Sequence, residues 1–218
     1  MPSQSTDGPG MSRIRRIMLE LCPEHATSEA TLSTLLGWLI LLQEWNRKIN
    51  LTAARSDDEL VDLFIADAAI LHRARLESGS SHSWLDVGAG AGAPGLGMAI
   101  LDPSLHIVLV EPNAKRVAFL RHIVGRFGLA RAKVVSARAE ELQISMADDV
   151  VSRATWSPDN WLVRGMPLAR HRLWMLLARE DWQPGPDCAV VYDRTYRWPL
   201  TGVERRVLAI SRTQPQSD

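Results

Sequence analysis

The stretch WLDVGAGAGAPGLGMAI, residues 84–100, constrains this chain more than any other. Trp84, Leu85 and Val87 form a short apolar run that enters a loop with glycine at 88, 90, 92 and 95, and PGLGMAIL then reads as a helix. Strand, glycine-rich turn and helix in succession open a parallel α/β sheet, because glycine accepts the tight turn without steric penalty. In such a sheet, ligands settle at the carboxyl ends of the strands, and the first turn offers backbone N–H groups at a helix N-terminus. Pro94 suits the first turn of that helix.

The alternation continues downstream. HIVLVE (106–111), AKVVSA (132–137), DDVVSRA (148–154) and RLWMLLA (172–178) read as further strands. NAKRVAFLRHIVGRFGL is a strongly periodic helix ending at Gly128, and WSPDNWLVRGMPLA reads as another. CAVVYD and RRVLAIS are strands with no helix-length segment between them, which predicts an antiparallel edge. Upstream, Ser12 to Ala74 is helical in pattern. Leu32, Leu35, Leu36, Leu39 and Leu42 share one face, and Asp57, Asp58 and Glu59 open a helix whose apolar positions are Leu60, Leu63, Phe64, Ala68 and Leu71. ESGSSHS, 77–83, is a linker by composition. The expected architecture is an α/β, Rossmann-like doubly wound sheet with an N-terminal helical extension. Residues 1–11 are expected to be disordered, 12–80 to form the extension and 81–218 the ligand-binding domain.

Charge and cysteine usage exclude other classes. With 25 basic and 25 acidic residues, no global field draws the chain to a polyanion, so any such site must be a local patch. The only lysines are Lys48, Lys115 and Lys133, so the positive charge is mostly arginine, which suits planar partners such as phosphate. Cys22 and Cys188 form neither a metal site nor a disulfide framework, and no metal is expected. The most apolar stretch, LLGWLILL at 35–42, is too short to span a bilayer. With no secretory signal in the sequence, a cytoplasmic monomer is expected, and Asn50-Leu51-Thr52 is a chance match to the glycosylation pattern.

Two ligand classes use a glycine loop of this kind, dinucleotides and S-adenosylmethionine. Gly88-x-Gly90-x-x-Ala93 and Gly90-x-Gly92-x-x-Gly95 both fit the dinucleotide pattern, which is weak evidence. Asp86, two residues before the first glycine, would repel a pyrophosphate and attract a sulfonium or ammonium cation. The same carboxylate could instead brace the loop through backbone hydrogen bonds. Glu111, ending the second strand, can accept ribose hydroxyls from either ligand. A nicotinamide dehydrogenase is disfavoured by Asp86 and by the lack of a hydride-handling site.

WNRKINLTA (45–53), LDVGAGAGAPGLGMAI (85–100), EPNAKRVAFLR (111–121), ARAEEL (137–142) and VSRA (151–154) occur in this order, with GVERRVLAISR (202–212) after them. Together they resemble the RsmG/GidB family, which methylates N7 of one guanine in 16S ribosomal RNA. The resemblance implies a class I methyltransferase fold and S-adenosyl-L-methionine as cofactor. It implies 16S rRNA in the small ribosomal subunit as partner. It implies a cofactor site in Gly88, Gly90, Ala93, Glu111, Ala139, Glu140 and Arg153, with Arg153 also catalytic beside the reacting centre. Gly88 and Gly90 would admit the amino-acid end, Ala93 would line the loop, Glu111 would hold the ribose, and Ala139 with Glu140 would flank the adenine. Guanine N7 carries a free lone pair at neutral pH, so alignment and exclusion of water would suffice for catalysis.

This chain departs from the family pattern in three places. Leu63 and Phe64 stand where the family has an Arg-His pair, while Asp67 is kept. PLARHRLWMLLARED has no glycine where the family has Lys-Gly, and Arg179 would stand in for the lysine. Thr155, Trp156 and Ser157 replace an aromatic-Ala-Ser run. A diverged paralogue that binds the cofactor but methylates another substrate, or is non-catalytic, is the alternative. Candidate RNA contacts are Arg121, Arg126, Arg131 and Lys133 in one arc and Arg164, Arg170, His171 and Arg172 in another. Trp156 and Trp161 could stack on a base, whereas Trp45 is expected in the core.

Overall fold

The computed structural model describes residues 8–23, 28–178, 182–186 and 188–211. Four helices come first: α1 (Pro9–Leu21), α2 (Glu29–Ile49), α3 (Asp57–Val61) and α4 (Asp67–Glu77), the last two joined by a π turn over Asp62–Ala66. At the N-termini of α2 and α3, side chains take up free backbone N–H groups. Ser28 accepts from Thr31 N–H, and Ser56 accepts from Glu59 N–H with Asp57, Asp58 and Glu59 in the first turn. Helix α1 begins at Pro9, so the stretch expected to be disordered through residue 11 is helical from there, and residues 1–7 lie outside the described set.

The sheet follows: β1 (Ser83–Val87), α5 (Gly95–Leu101), β2 (His106–Val110), α6 (Ala114–Arg126), β3 (Ala132–Val135), β4 (Ala147–Arg153), α7 (Pro158–Gly165), β5 (Ala169–Leu177), β6 (Ala189–Arg197) and β7 (Glu204–Ser211). Its order is β3-β2-β1-β4-β5-β7-β6. The first five strands are parallel, and β7 runs antiparallel to both β5 and β6. The expected doubly wound sheet with an antiparallel edge is therefore what forms. The winding reverses between β1 and β4, which creates the crevice where such sheets bind ligands. Helix α5 starts at Gly95, so Pro94 caps it rather than occupying its first turn.

Helices α1, α2 and α4 do not stand apart from the sheet. Ile14, Leu35, Trp38, Phe64, Leu96, Phe119 and Trp174 belong to one continuous core over one sheet face. Helix α4 lies so close to α5 that a Cβ on Gly97 would fall 2.5 Å from the Cβ of Ala68. The opposite face is covered by α7, with Leu85, Val150, Trp161 and Leu173 in its core. Trp45 is half-buried and packs edge-on against Phe119, as expected of a core residue. Both cysteines are free; Cys22 is buried and donates to the Ala69 carbonyl at 3.1 Å, and burial pushes its thiol up to about 11. Among the described residues no helix is long and apolar enough to cross a membrane.

Candidate active site

The first loop is built around one buried carboxylate. Gly88 and Ala89 both donate to the Val110 carbonyl, at 2.9 and 3.0 Å, which draws the loop over the end of β2. Gly90 has φ +57° and donates to Glu111 Oε2 at 2.9 Å, while Glu111 Oε1 accepts from Asn113 N–H at 2.9 Å. Glu111 is only 3% exposed, yet each carboxylate oxygen keeps a further lone pair. A Cβ at Gly90 would point into open space, with no heavy atom nearer than the Gly88 carbonyl at 3.9 Å. The positive φ favours glycine there, and the approach to the loop is left open.

Asp86 does not face that space. It is 1% exposed, its Oδ2 accepts from Gly95 N–H at 2.9 Å, and its Oδ1 has no hydrogen-bond partner among the described residues. Burial pushes its carboxyl up to about 7 against the opposing pull of the Gly95 N–H and of Arg153. Of the two roles open to it in the sequence, the brace is the one seen.

Beneath the loop lies a cleft of about 380 Å³. One wall is the glycine loop, Gly88 to Ala91 with Ala93; the second is Glu111, Pro112 and Arg116; the third is Arg153, Ala154 and Thr155. The fourth is Leu51, Thr52 and Ala53, joined by Leu63 and Phe64. This gives the WNRKINLTA segment its structural purpose. Asn50 closes α2 in the left-handed region at φ 47°, and Asn46 Oδ1 accepts from Leu51 and Thr52 N–H at 2.6 and 3.0 Å. The chain is thereby folded back across the cleft.

Arg153 stands between this cleft and a second pocket of about 230 Å³, and Leu63, Arg153, Ala154 and Thr155 line both. Arg153 Nη1 donates to the Leu63 carbonyl and to Asp67 Oδ2, the latter at 3.1 Å. Asp67, 2% exposed, also accepts on Oδ1 from Tyr196 Oη–H and Trp198 Nε1–H, each at 2.7 Å. One carboxylate thus ties α4, the end of β4 and the end of β6 together. Trp156 and Trp161 form one side of the second pocket, stacked with centroids 5.4 Å apart and planes at 5°. Met175, Leu177, Tyr196 and Trp198 form others, with the Arg205 guanidinium 4.0 Å above the Trp198 ring.

Of the residues expected to bind a cofactor, the cleft brings together Gly88, Gly90, Ala93, Glu111 and Arg153. Ala139 and Glu140 are not among its walls. They form a short 3₁₀ turn after β3, where Glu140 is exposed and ion-paired with Arg164. Neither expected arc of basic residues gathers at the cleft. Arg170, His171 and Arg172 sit at the amino end of β5, opposite the site, where Asp148 pairs with the first two and Ser80 accepts from the third. Arg131 is likewise at the amino end, donating to the Ser104 carbonyl at 3.0 Å. Arg179 lies outside the described residues. Sequence reasoning assigned no role to Arg116, Tyr196, Trp198 or Arg205. The last three come from the terminal hairpin, whose pairing with β5 no local pattern announces. Among the described residues no group of three or more His, Cys, Asp or Glu side chains could hold a metal.

Solved methyltransferases share this fold. The magnesium protoporphyrin IX methyltransferase of Synechocystis PCC 6803, solved with bound SAM, has a TM-score of 0.57 at 12% identity, covering 81% of this chain and 97% of that one. A SAM-dependent methyltransferase of Aquifex aeolicus has a TM-score of 0.50 at 16% identity, covering 69% and 91%. The fold is that of the class I, S-adenosylmethionine-dependent methyltransferases. The family model of rRNA small subunit methyltransferase G (GidB) matches residues 31–183. The ribosomal RNA small subunit methyltransferase G of Chromohalobacter salexigens is 35% identical over 184 residues, 82% of this chain and 86% of that one. Its counterpart in Halorhodospira halophila is 37% identical over 143 residues, 66% and 64% of the two chains. This chain belongs to the rRNA small subunit methyltransferase G family.

Proposed function

We propose that the protein transfers a methyl group from S-adenosylmethionine to N7 of a guanine in 16S ribosomal RNA, acting as a cytoplasmic monomer on the small ribosomal subunit. The observation that carries this reading is that Gly88, Gly90, Glu111 and Arg153, all inside the span that matches the family, line one cleft at the switch point. The open approach at Gly90 and the spare lone pairs of Glu111 fit the cofactor.

When bound, the cofactor supplies a methyl group on a sulfonium, and transfer forms the N7–CH₃ bond as the S–CH₃ bond breaks with its electron pair left on sulfur. The chain's own residues bind and align. Glu111 accepts the ribose hydroxyls. The backbone of Gly88 and Gly90 admits the amino-acid end, and Ala93 lines the loop. Arg153 stands beside the reacting centre, and its pairing with Asp67 keeps its charge from opposing a sulfonium. Ala139 and Glu140, in the turn after β3, would flank the adenine beyond the walls of the cleft. No general base is required, because N7 already presents its lone pair.

Calorimetric titration with S-adenosylmethionine, followed by methyl transfer to 30S subunits lacking the modification, tests the reading. Binding with transfer is expected. Binding without transfer would overturn the 16S substrate and point to another acceptor, consistent with apolar Leu63 and Phe64 at the rim.

A further inference from the structure

We propose that the second pocket receives the acceptor base itself, unstacked from its strand, and that the Ser152 hydroxyl reads it. This deepens the methyl-transfer reading and rests on it. The pocket shares Leu63, Arg153, Ala154 and Thr155 with the cleft, so a ligand held in it abuts whatever the cleft holds. An enzyme acting on a base must take it out of its stack and hold it between flat apolar walls. Trp156, Met175 and Trp198 supply such walls.

Ser152 is the independent sign of a ligand. It lines this pocket, is only 5% exposed, and its Oγ has no hydrogen-bond partner among the described residues. Buried hydroxyls are nearly always paired, so this one is waiting for an acceptor. Across the β4–β5 ladder its registered neighbour is Met175. A guanine presents two acceptors side by side, O6 and N7. A hydroxyl donating to O6 leaves the N7 lone pair free for the methyl group. Cytosine presents a donor amine at the corresponding place, so the same hydroxyl selects against it.

The test compares Ser152→Ala, which removes the donor, with Ser152→Val, which also narrows the pocket and suits a strand. Each is assayed for methyl transfer to unmodified 30S subunits, for S-adenosylmethionine affinity, and for thermal unfolding. Ser152→Ala is expected to lower kcat/KM about fivefold, one hydrogen bond's worth, and Ser152→Val by more than tenfold. Cofactor affinity and melting temperature should stay as in the wild type. Wild-type transfer by both variants, or parallel losses in cofactor affinity and melting temperature, would overturn the proposal.

A second measurement separates the pocket from the substrate reading. Guanosine and cytidine are titrated into the protein saturated with S-adenosylhomocysteine, with tryptophan fluorescence as readout. A wild type that fails to methylate 30S subunits, yet responds to guanosine and not cytidine, would sink the 16S reading and keep the pocket. No response to guanosine, or an equal response to cytidine, would overturn the pocket too.

Discussion

Replacing Asp86 by asparagine should make the protein more stable at neutral pH, by an amount that depends on pH in a defined way. The carboxyl is fully enclosed, and burial holds it at about 7 against an ordinary value of 3.8. From about pH 4 upward the unfolded chain releases this proton while the folded chain keeps it. The folded state binds more protons, so its stability falls as pH rises. The loss is complete once the pH exceeds the folded value, near 7. At about 1.4 kcal/mol per pH unit over about three units, it reaches about 4 kcal/mol. Asparagine mimics the protonated acid. Its amide oxygen can still accept from Gly95, and its NH₂ takes the place of the unpartnered oxygen, as the acid's O–H does. Urea unfolding of both proteins from about pH 4.5 to about pH 8.5 isolates the effect, because every other titrating group cancels in the difference. The stability difference should open with pH toward about 4 kcal/mol and level off above about pH 7. Two curves that run parallel across this range would refute the reasoning.

Glu111→Ala removes the acceptor that faces the cleft and should weaken S-adenosylmethionine binding by about 1–3 kcal/mol in calorimetry; unchanged affinity would displace the ribose from this corner. Arg153→Ala should cut turnover on 30S subunits far more than it lowers stability, because Asp67 keeps the Tyr196 and Trp198 donors; equal losses in kinetics and unfolding would make Arg153 a structural residue. Gly95→Ala would place a Cβ 2.6 Å from Asp86 Oδ2 and 2.7 Å from Leu109 Cδ2, so denaturant unfolding should show a loss. Overpacking of this kind typically destabilises by about 1–3 kcal/mol. Gly125→Ala, with no neighbour within 4 Å in helix α6, should instead stabilise, by at most about 1 kcal/mol.

Much of the sheet was legible because its signals are local. HIVLV, KVV and DVVSR are short runs rich in apolar residues, and each falls within the strand it announces. The cleft was legible for the same reason, since the glycine loop and Glu111 follow directly on strands and Arg153 ends one. What was not legible arises from distance. The π turn over Asp62–Ala66 has an ordinary helical sequence; its setting includes Asp62, buried by Leu200 and Thr201, whose N–H groups it accepts. The basic run at 170–172 looked like a patch because its members are adjacent in sequence. In space it lies across the sheet from the site, since a strand carries its two ends to opposite edges. Asp86 was ambiguous because a sequence does not say which side of a loop a carboxylate occupies.

The carboxylate of Asp67 has a consequence for how the molecule comes into being. Its two aromatic donors, Tyr196 and Trp198, follow it by 129 and 131 residues. A chain growing from its N-terminus carries the helices, the glycine loop and Glu111 long before it carries those donors. Until the terminal hairpin docks, a carboxylate destined for burial lacks the partners that make burial tolerable. The glycine loop can thus take shape early, while the wall of the neighbouring pocket must wait for β6 and the turn after it. Competence of the site becomes a report that the β6–β7 hairpin has been made and has docked.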